Sequence, residues 1–585
     1  MSRKVPVEIT ARVITASVFA TFSAPMAGSA LTGAGAEPVS DVVLDPAVLS
    51  LAEDFEDEPD PQATSVTVSG RHIRAVTARV RAVVDMVVGR RRGGGGSPVP
   101  AVVCDSGSVD TSAAAPAVVV VGGGIAGLAA AARVREARPD ADVLVLESSP
   151  EIGGKLRLAE VGGVVVDVGA EAMLNRRPEA VELTRASGLA DDLVHPATIA
   201  ANLWTRGEVL AMPRTMMGIP VDLKVLAESG VISKPGLARA AMDTVLPASS
   251  LDGRDASIGS LVEERFGKEV VDRLLEPLLG GVYAGHAREI SARAAVPQVV
   301  ALLDRDRSLA KAAARAMSGP ASDAPVFAGI TGGVGRLPAA VADSSGFRVE
   351  TGATVRDLAR RPAAHGRDGG WTLVVGSTTE PRLVQADAVV LAVPGAAAAR
   401  LLSDVAPAAA LELARIEYAS VAVITMAFRE RDFPAVVGSG FLVPPVDKRA
   451  VKAATFSFAK WDWVRAAGDG LLVMRCSLGR HREQHQLQKT DAELVEVALT
   501  DLADAIGISV RPVDSHVQRW GGGLPQYAVG HLDRVAAIRS GVAVLPGVAV
   551  CGAAYDGIGI PACIASAHRA VAQVLPALPP PASSS

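Results

Sequence analysis

The sequence predicts an α/β fold built on a Rossmann-like parallel sheet. Three observations predict it. A continuous β-branched run, Ala117–Val121 (AVVVV), leads straight into the glycine loop Gly122-Gly123-Gly124-Ile125-Ala126-Gly127. That loop opens a strong helix-forming stretch, Leu128–Ala137 (LAAAARVREA). A second apolar run, Asp142–Leu146, follows and ends in a carboxylate, Glu147, 20 residues after Gly127.

Each element has a physical reason. Five apolar residues without alternation suit a strand buried on both faces, as in a parallel sheet. Gly122, Gly124 and Gly127 satisfy the spacing G-x-G-x-x-G. The first glycine permits a tight turn, the second lets a pyrophosphate approach the backbone, and the third lets the helix pack on the strand. The helix then aims its N-terminal amides at that phosphate. Glu147 stands where a carboxylate accepts from ribose hydroxyls and repels a 2′-phosphate. A lone glycine motif says little, because a glycine turn in an unrelated α/β unit would also show it. Here strand, loop, helix, strand and acid are in register.

Composition bounds the rest. With 585 residues the chain is long enough for two or more domains, and 49% hydrophobic content with 21% charged residues is a globular composition. A net charge of −5 gives no reason to expect nucleic-acid binding. Cys104, Cys476, Cys551 and Cys563 are scattered with no CxxC pair, so no disulfide framework or metal site is expected. A reducing, cytoplasmic setting fits that usage. HExxH and GxSxG are absent. No run of about 20 apolar residues suits a spanning helix. Arg3 and Lys4 ahead of Val13–Phe22 have a signal-peptide cast, which Glu8 and Arg12 interrupt, so export is disfavoured.

Residues 1–115 are expected to be a disordered extension and linker. Leu51–Asp60 is acidic, Arg71–Arg92 is basic and amphipathic, and Gly93–Pro98 is a flexible connector. A membrane-surface or partner helix, and a translation start further downstream, are the alternatives. At the other end residues 576–585 read as a disordered Pro/Ser tail.

Past Glu147 comes Gly153-Gly154-Lys155-Leu156-Arg157. It resembles the second glycine motif of the large flavoprotein superfamily that includes amine oxidases, phytoene desaturases and protoporphyrinogen oxidases. That superfamily usually has a threonine just afterwards, where this chain has Leu158 and Ala159. Asp167–Glu171 resembles the strand and turn beside the flavin. Val349–Val355 resembles the strand whose valine backbone holds the adenine, with Val355 the candidate. Ala386–Pro394 resembles the strand leading to the substrate domain. Val548–Ile560 and the helix Pro561–Leu575 resemble the closing segment, whose helix N-terminus stabilises the reduced flavin. Cys563 lies in that helix. A covalent thioether to the flavin is one reading of it, and a small core residue is the one expected.

Four further segments sharpen the resemblance. They are Ser257–Ile290, with Arg265-Phe266-Gly267, Glu276-Pro277 and Gly281–Gly285; Ala328–Leu337; Trp520–His531; and Tyr555–Cys563. Together they resemble the oxygen-dependent protoporphyrinogen/coproporphyrinogen III oxidase family, over roughly Val118–Ala572. The resemblance implies non-covalent FAD, contacted by Gly122, Gly123, Gly124, Ile125, Ala126, Gly127, Glu147, Ser148, Gly154, Lys155, Arg157, Gly169, Ala170, Glu171, Ala172, Val355, Trp520, Ile558, Gly559 and Ile560. It implies an FAD domain over 116–195, 326–410 and 540–575, a helical lobe over 196–325 and a mixed-sheet substrate domain over 411–539.

The implied reaction is oxidation of a porphyrinogen in haem biosynthesis. Hydride leaves a methylene bridge for the flavin, a pyrrole N–H gives up its proton, and O2 reoxidises the flavin to yield peroxide. The cofactor carries this chemistry, so no catalytic side chain and no metal is assigned. Coproporphyrinogen III is favoured over protoporphyrinogen IX because Arg254, Asp255, Glu263, Glu264, Arg265, Asp272 and Arg273 keep the lobe polar, as in soluble members. Arg177, Arg206 and Arg214 are candidate carboxylate anchors, weighed against ordinary surface roles. Peripheral membrane association or contact with a downstream haem-pathway enzyme, and a monomer or homodimer, fit the resemblance. An amine oxidase or carotenoid desaturase, and a non-enzymatic FAD-fold protein, remain the rival readings.

Overall fold

Val118 and Val120 point to one face of the central sheet, Val119 and Val121 to the other, and all four are buried. Both faces are therefore covered, which is why the strand reads as an unbroken apolar run. In this computed structural model residues 115–303, 305–318, 325–363 and 369–580 are described. The central sheet has five parallel strands in the order Arg348–Glu350, Asp142–Leu146, Ala117–Val121, Ala388–Leu391, Val548–Val550. One face packs on the helices Ile125–Ala137, Leu337–Ser345 and Ile560–Val574. The other packs on the antiparallel strands Val355–Arg361, Gly370–Gly376 and Pro381–Ala386 and on the helices Gly395–Leu402, Pro407–Ala414 and His531–Ala543.

Trp371 locks that second face. Its side chain is fully buried and its indole N–H donates to the Pro546 carbonyl at 2.9 Å. Trp371→Phe removes one hydrogen bond and leaves a small void, so we expect a loss of about 1–3 kcal/mol in urea denaturation. A change under about 0.5 kcal/mol would show that the indole does not staple this layer.

A second sheet has seven strands in the order Asp514–Pro525, Tyr418–Arg429, Leu471–Leu478, Val451–Thr455, Gly440–Leu442, Asn202–Thr205, Glu208–Ala211. Its outer face packs on the helix Asp491–Ile506. Its inner face looks toward the glycine loops and the helical lobe. The lobe is tied internally by Arg265 and Asp243, both buried, at 2.7 Å. Asp243 also accepts from Leu309 N and Ala310 N at the start of the helix Leu309–Ala316.

Several expected boundaries move. The helical lobe does not begin at 196: Asn202–Thr205 and Glu208–Ala211 form a hairpin at the edge of the seven-stranded sheet, and helices begin at Leu223. The hairpin turn is Arg206-Gly207, both at positive φ, the geometry that suits twisted strands. The limits at 410/411 and 539/540 cut the continuous helices Pro407–Ala414 and His531–Ala543, which share one core with the parallel sheet. Val349–Val355 is not one strand. Arg348–Glu350 joins the parallel sheet, the chain turns at Gly352 (φ +65°), and Val355 starts an antiparallel strand. The tail does not begin at 576 either, since Leu575–Ala577 forms a 3₁₀ turn and Leu578 is buried in the core. The readings of residues 1–114, including Cys104 and the basic segment, and of 581–585 lie outside the described residues.

Candidate functional site

The glycines of the first loop have different jobs. Gly122 has φ +107°, and a Cβ there would lie 2.6 Å from the Ala392 carbonyl oxygen. A Cβ on Gly127 would lie 1.9 Å from the Gly122 carbonyl oxygen. These two let helix and strand close on each other. A Cβ on Gly123 would press on Glu147, whereas one on Gly124 would meet nothing within 4 Å. Gly124 is thus open toward the space that a ligand would enter.

Glu147 braces the loop from behind. Its Oε2 accepts from Gly123 N at 2.6 Å, and its Oε1 accepts from Ser149 N and Oγ. Its backbone is held by Glu350 and Ala353, which brings the chain around Gly352 to this point. Ser148 is exposed beside it. Val355 has a buried side chain and a carbonyl that accepts from Arg400 at 3.1 Å, so only its backbone could face a ligand.

The second glycine motif lies against the first. Gly153 N donates to Gly123 O at 2.8 Å, and Gly154 approaches Gly124 closely. The chain at Gly169–Ala170 then covers Lys155. Ala170 N donates to Lys155 O at 3.1 Å, and a Cβ on Gly169 would lie 2.0 Å from that oxygen. Trp520 donates from its indole to Val168 O at 3.3 Å and abuts Gly169. One continuous surface therefore contains Gly122–Gly127, Glu147, Gly153–Arg157, Gly169–Ala170 and Trp520. Arg157 is half-buried there and pairs with Glu151 at 3.3 Å.

Two helices start at this surface with open ends. Ile125–Ala137 begins at Gly124 and Ile560–Val574 at the exposed Gly559, with no side-chain cap and no acidic residue in either first turn. Helix Asp491–Ile506, by contrast, carries a full capping box from Thr490 and Glu493. Free amides at a helix start favour phosphate or a polarised carbonyl. Ala126 packs near Gly552, whose N–H donates to Ser566 Oγ at 3.3 Å, so the first turn of one helix lies against the body of the other. Lys155 reaches solvent yet is hemmed in by protein, and that enclosure lowers its ammonium pKa while Cys563 in the second helix raises it. Gly154 before it lies against Gly124 and Cys563 lies near its side chain, so Lys155 stands beside both helices. Ile558 packs toward the lobe and Ile560 into the core. Ala172 packs beside Trp461 and Val473. This set of open glycine, free amides and enclosed lysine fits a dinucleotide.

The Glu171 side chain is an ion-paired carboxylate. Lys460 Nζ lies 2.5 Å from Oε1 and Arg475 Nη2 lies 3.0 Å from Oε2. These two cations outweigh burial and hold its carboxyl down to about 2. Arg475 also donates to the carbonyls of Asp167 and Gly169, both at 2.9 Å. The Glu171 carboxylate therefore anchors the turn. Asp167, pushed up to about 7 by burial, accepts from Val334 N and Gly335 N of the Ala328–Leu337 segment. The proposed arginine anchors are engaged elsewhere: Arg177 pairs with Glu179, Arg206 with Glu269, and Arg214 donates to Met317 O.

Sequence reasoning missed Arg475, Lys460 and Tyr527. The Tyr527 hydroxyl donates to Ala553 O at 2.6 Å and accepts from Gly557 N at 2.8 Å, fixing the loop before Gly559. The Pro525-Gln526-Tyr527 run was its only signal. Among the described residues no group of three metal-ligating side chains is placed to hold a metal ion, and no helix is long and apolar enough to cross a membrane.

The family model for flavin containing amine oxidoreductase matches residues 125–575. A Mycobacterium tuberculosis protein named coproporphyrinogen III oxidase is 38% identical over 464 residues, covering 78% of this chain and 96% of its own. A Bacillus subtilis protein of the same name is 31% identical, covering 77% and 96%. The chloroplastic protoporphyrinogen oxidase of rice is 26% identical, covering 77% and 86%. The solved structure of an Exiguobacterium protein, provisionally named a protoporphyrinogen oxidase, has 29% identity and a TM-score of 0.69, covering 78% of this chain and 98% of that one. The chain belongs to the family of flavin-containing amine oxidoreductases.

Proposed function

We propose that the chain binds FAD non-covalently and oxidises coproporphyrinogen III to coproporphyrin III with O2, in porphyrin biosynthesis. The observation that carries the substrate assignment is the rank of its relatives. Those named coproporphyrinogen III oxidase reach 38% identity across nearly their whole length, against 26% for the rice protoporphyrinogen oxidase.

When bound, the flavin supplies hydride acceptance at a porphyrinogen methylene bridge and its own reoxidation by O2. The chain's residues bind and orient. Gly124 leaves room for the pyrophosphate, and the amides after it lie at the positive end of the helix dipole. Glu147 is placed for a ribose hydroxyl, and Lys155 supplies positive charge beside both helices. The uncapped start of Ile560–Val574 would favour negative charge on a flavin ring held against it. Cys563 supports non-covalent binding, because burial lifts its thiol to about 11 and leaves little thiolate for attack. Trp520 steadies the Val168–Gly169 turn through its indole N–H. The protein is expected to work in the cytoplasm.

The test is turnover of both porphyrinogens by the purified flavoprotein, read as porphyrin fluorescence with peroxide formed alongside. Coproporphyrin should appear faster than protoporphyrin. Faster protoporphyrin formation would reverse the substrate assignment, and turnover of neither would reject the reaction.

A further inference from the structure

The segment Pro525–His531 ends in a histidine that the proposed chemistry leaves unused. His531 is wholly buried, and neither ring nitrogen has a protein partner at hydrogen-bonding geometry. Burial, with Arg534 nearby, holds its imidazole down to about 4, so the ring is uncharged at neutral pH. What holds the ring in place is its face. It stacks on Tyr527 with ring centroids 3.9 Å apart and planes 14° from parallel.

Tyr527 is itself almost wholly buried, and Tyr283, at the end of the helix Glu276–Tyr283, packs against it at 5.5 Å. A ring clasped by two others cannot tilt or slide without overlap, so its hydroxyl has one position. From there it donates to Ala553 O and accepts from Gly557 N. Gly557 lies against the first turn of the helix Ile560–Val574: a Cβ on it would sit 2.8 Å from that of Ala562.

The backbone of the same segment belongs to the lobe. Ser291 N donates to Tyr527 O at 2.7 Å, and Gly530 N donates to Asp255 Oδ2 at 2.8 Å. His531 then opens the helix His531–Ala543, which packs on the parallel sheet. One short strap thus joins the lobe, the sheet and the loop before Gly559, and the stacked pair is its joint. We propose that His531 is a positioning residue, whose face sets the Tyr527 phenol that fixes Ala553–Gly557 and so aims the uncapped start of Ile560–Val574 at the flavin. This rests on the proposed binding of FAD. A helix start moved off the flavin would stabilise negative charge on the reduced ring less well.

The experiment reads two quantities: hydrogen exchange at the Gly557 amide, and the potential for two-electron reduction of the bound flavin. His531→Leu removes the flat face. Gly557 should then exchange at least about tenfold faster. Flavin reduction should become about tenfold less favourable, which is a potential about 30 mV lower. His531→Phe keeps the face, and both quantities should stay within about threefold of wild type. Tyr527→Phe, which loses only the hydroxyl, should match His531→Leu, and the double variant should go no further, because both act through one contact. A lower melting temperature in His531→Leu with an unchanged potential at full flavin content would reduce the residue to a core filler and overturn the proposal. Additive effects in the double variant would overturn it as well, and so would a wild-type potential in Tyr527→Phe, a variant that needs no repacking. Gly557 exchange is also measured without flavin, where an unchanged rate in His531→Leu overturns the contact itself. A wild type that binds no flavin instead rejects the proposed function.

Discussion

Gly127→Ala is expected to destabilise the flavin-bearing half by about 3 kcal/mol or more, whereas Gly124→Ala should fold normally and bind flavin at least about tenfold more weakly. The added Cβ at Gly127 would sit 1.9 Å from the Gly122 carbonyl oxygen, a backbone atom that no rotamer change can move. The helix would have to lift from the strand and pull Leu128, Ala130 and Ala131 out of their contacts with Val118 and Val120. Overpacking a core usually costs 1–3 kcal/mol, and a backbone clash at a helix–strand crossing lies at or above about 3 kcal/mol. That is a large part of the 5–15 kcal/mol that typically holds a domain together. At Gly124 the backbone is at φ −73°, ψ 172°, open to any residue, and the Cβ would meet nothing. Its only cost should be to a phosphate approaching that face, at least about tenfold in flavin affinity. The pair is read by soluble yield, melting temperature and flavin absorbance. Gly124→Ala with wild-type flavin content would mean that the cofactor approaches from elsewhere. Gly127→Ala with a wild-type melting temperature would remove the steric argument.

What was legible in the sequence follows from the range of the interactions. Strand, loop, helix, strand and Glu147 span about 30 consecutive residues, and each signal is local: β-branching, glycine spacing, helix propensity. The closing helix was legible for the same reason, with Pro561 in its first turn. The edge hairpin Asn202–Ala211 was not. Its strands are short, and what makes them strands is the parallel pairing of Asn202 and Leu203 with Phe441 and Leu442, more than two hundred residues away. Helix formers later in the segment drowned that signal. The ion pairs of Glu171 were not legible, because Lys460 and Arg475 lie about three hundred residues on, and only the folded sheet brings them together.

The Glu171 network is where the two sheets meet the flavin turn, and Glu171→Gln should expose it. With the carboxylate gone, Lys460 and Arg475 face each other in a nearly dry site, and Arg475 loses the charge that steadies its grip on the Asp167 and Gly169 carbonyls. The sign of the pH effect follows from the folded value. A glutamate ordinarily near 4.5 is held down to about 2, so its stabilising contribution is complete above about pH 4.5 and is lost as pH falls toward 2. At neutral pH the difference corresponds to about 3 kcal/mol. Asp167, lifted to about 7, slopes the opposite way between about pH 4 and 7, but it is present in both proteins and largely cancels when they are compared at equal pH. Wild type should therefore exceed Glu171→Gln by about 3 kcal/mol at pH 7 in urea denaturation, and the gap should close between about pH 4.5 and 2. Flavin affinity should fall in parallel, because the Gly169–Ala170 turn is what the network holds against Lys155. Superimposable pH–stability curves for the two proteins would mean that Lys460 and Arg475 hold the turn without Glu171, and that its carboxylate is free to contact the cofactor after all.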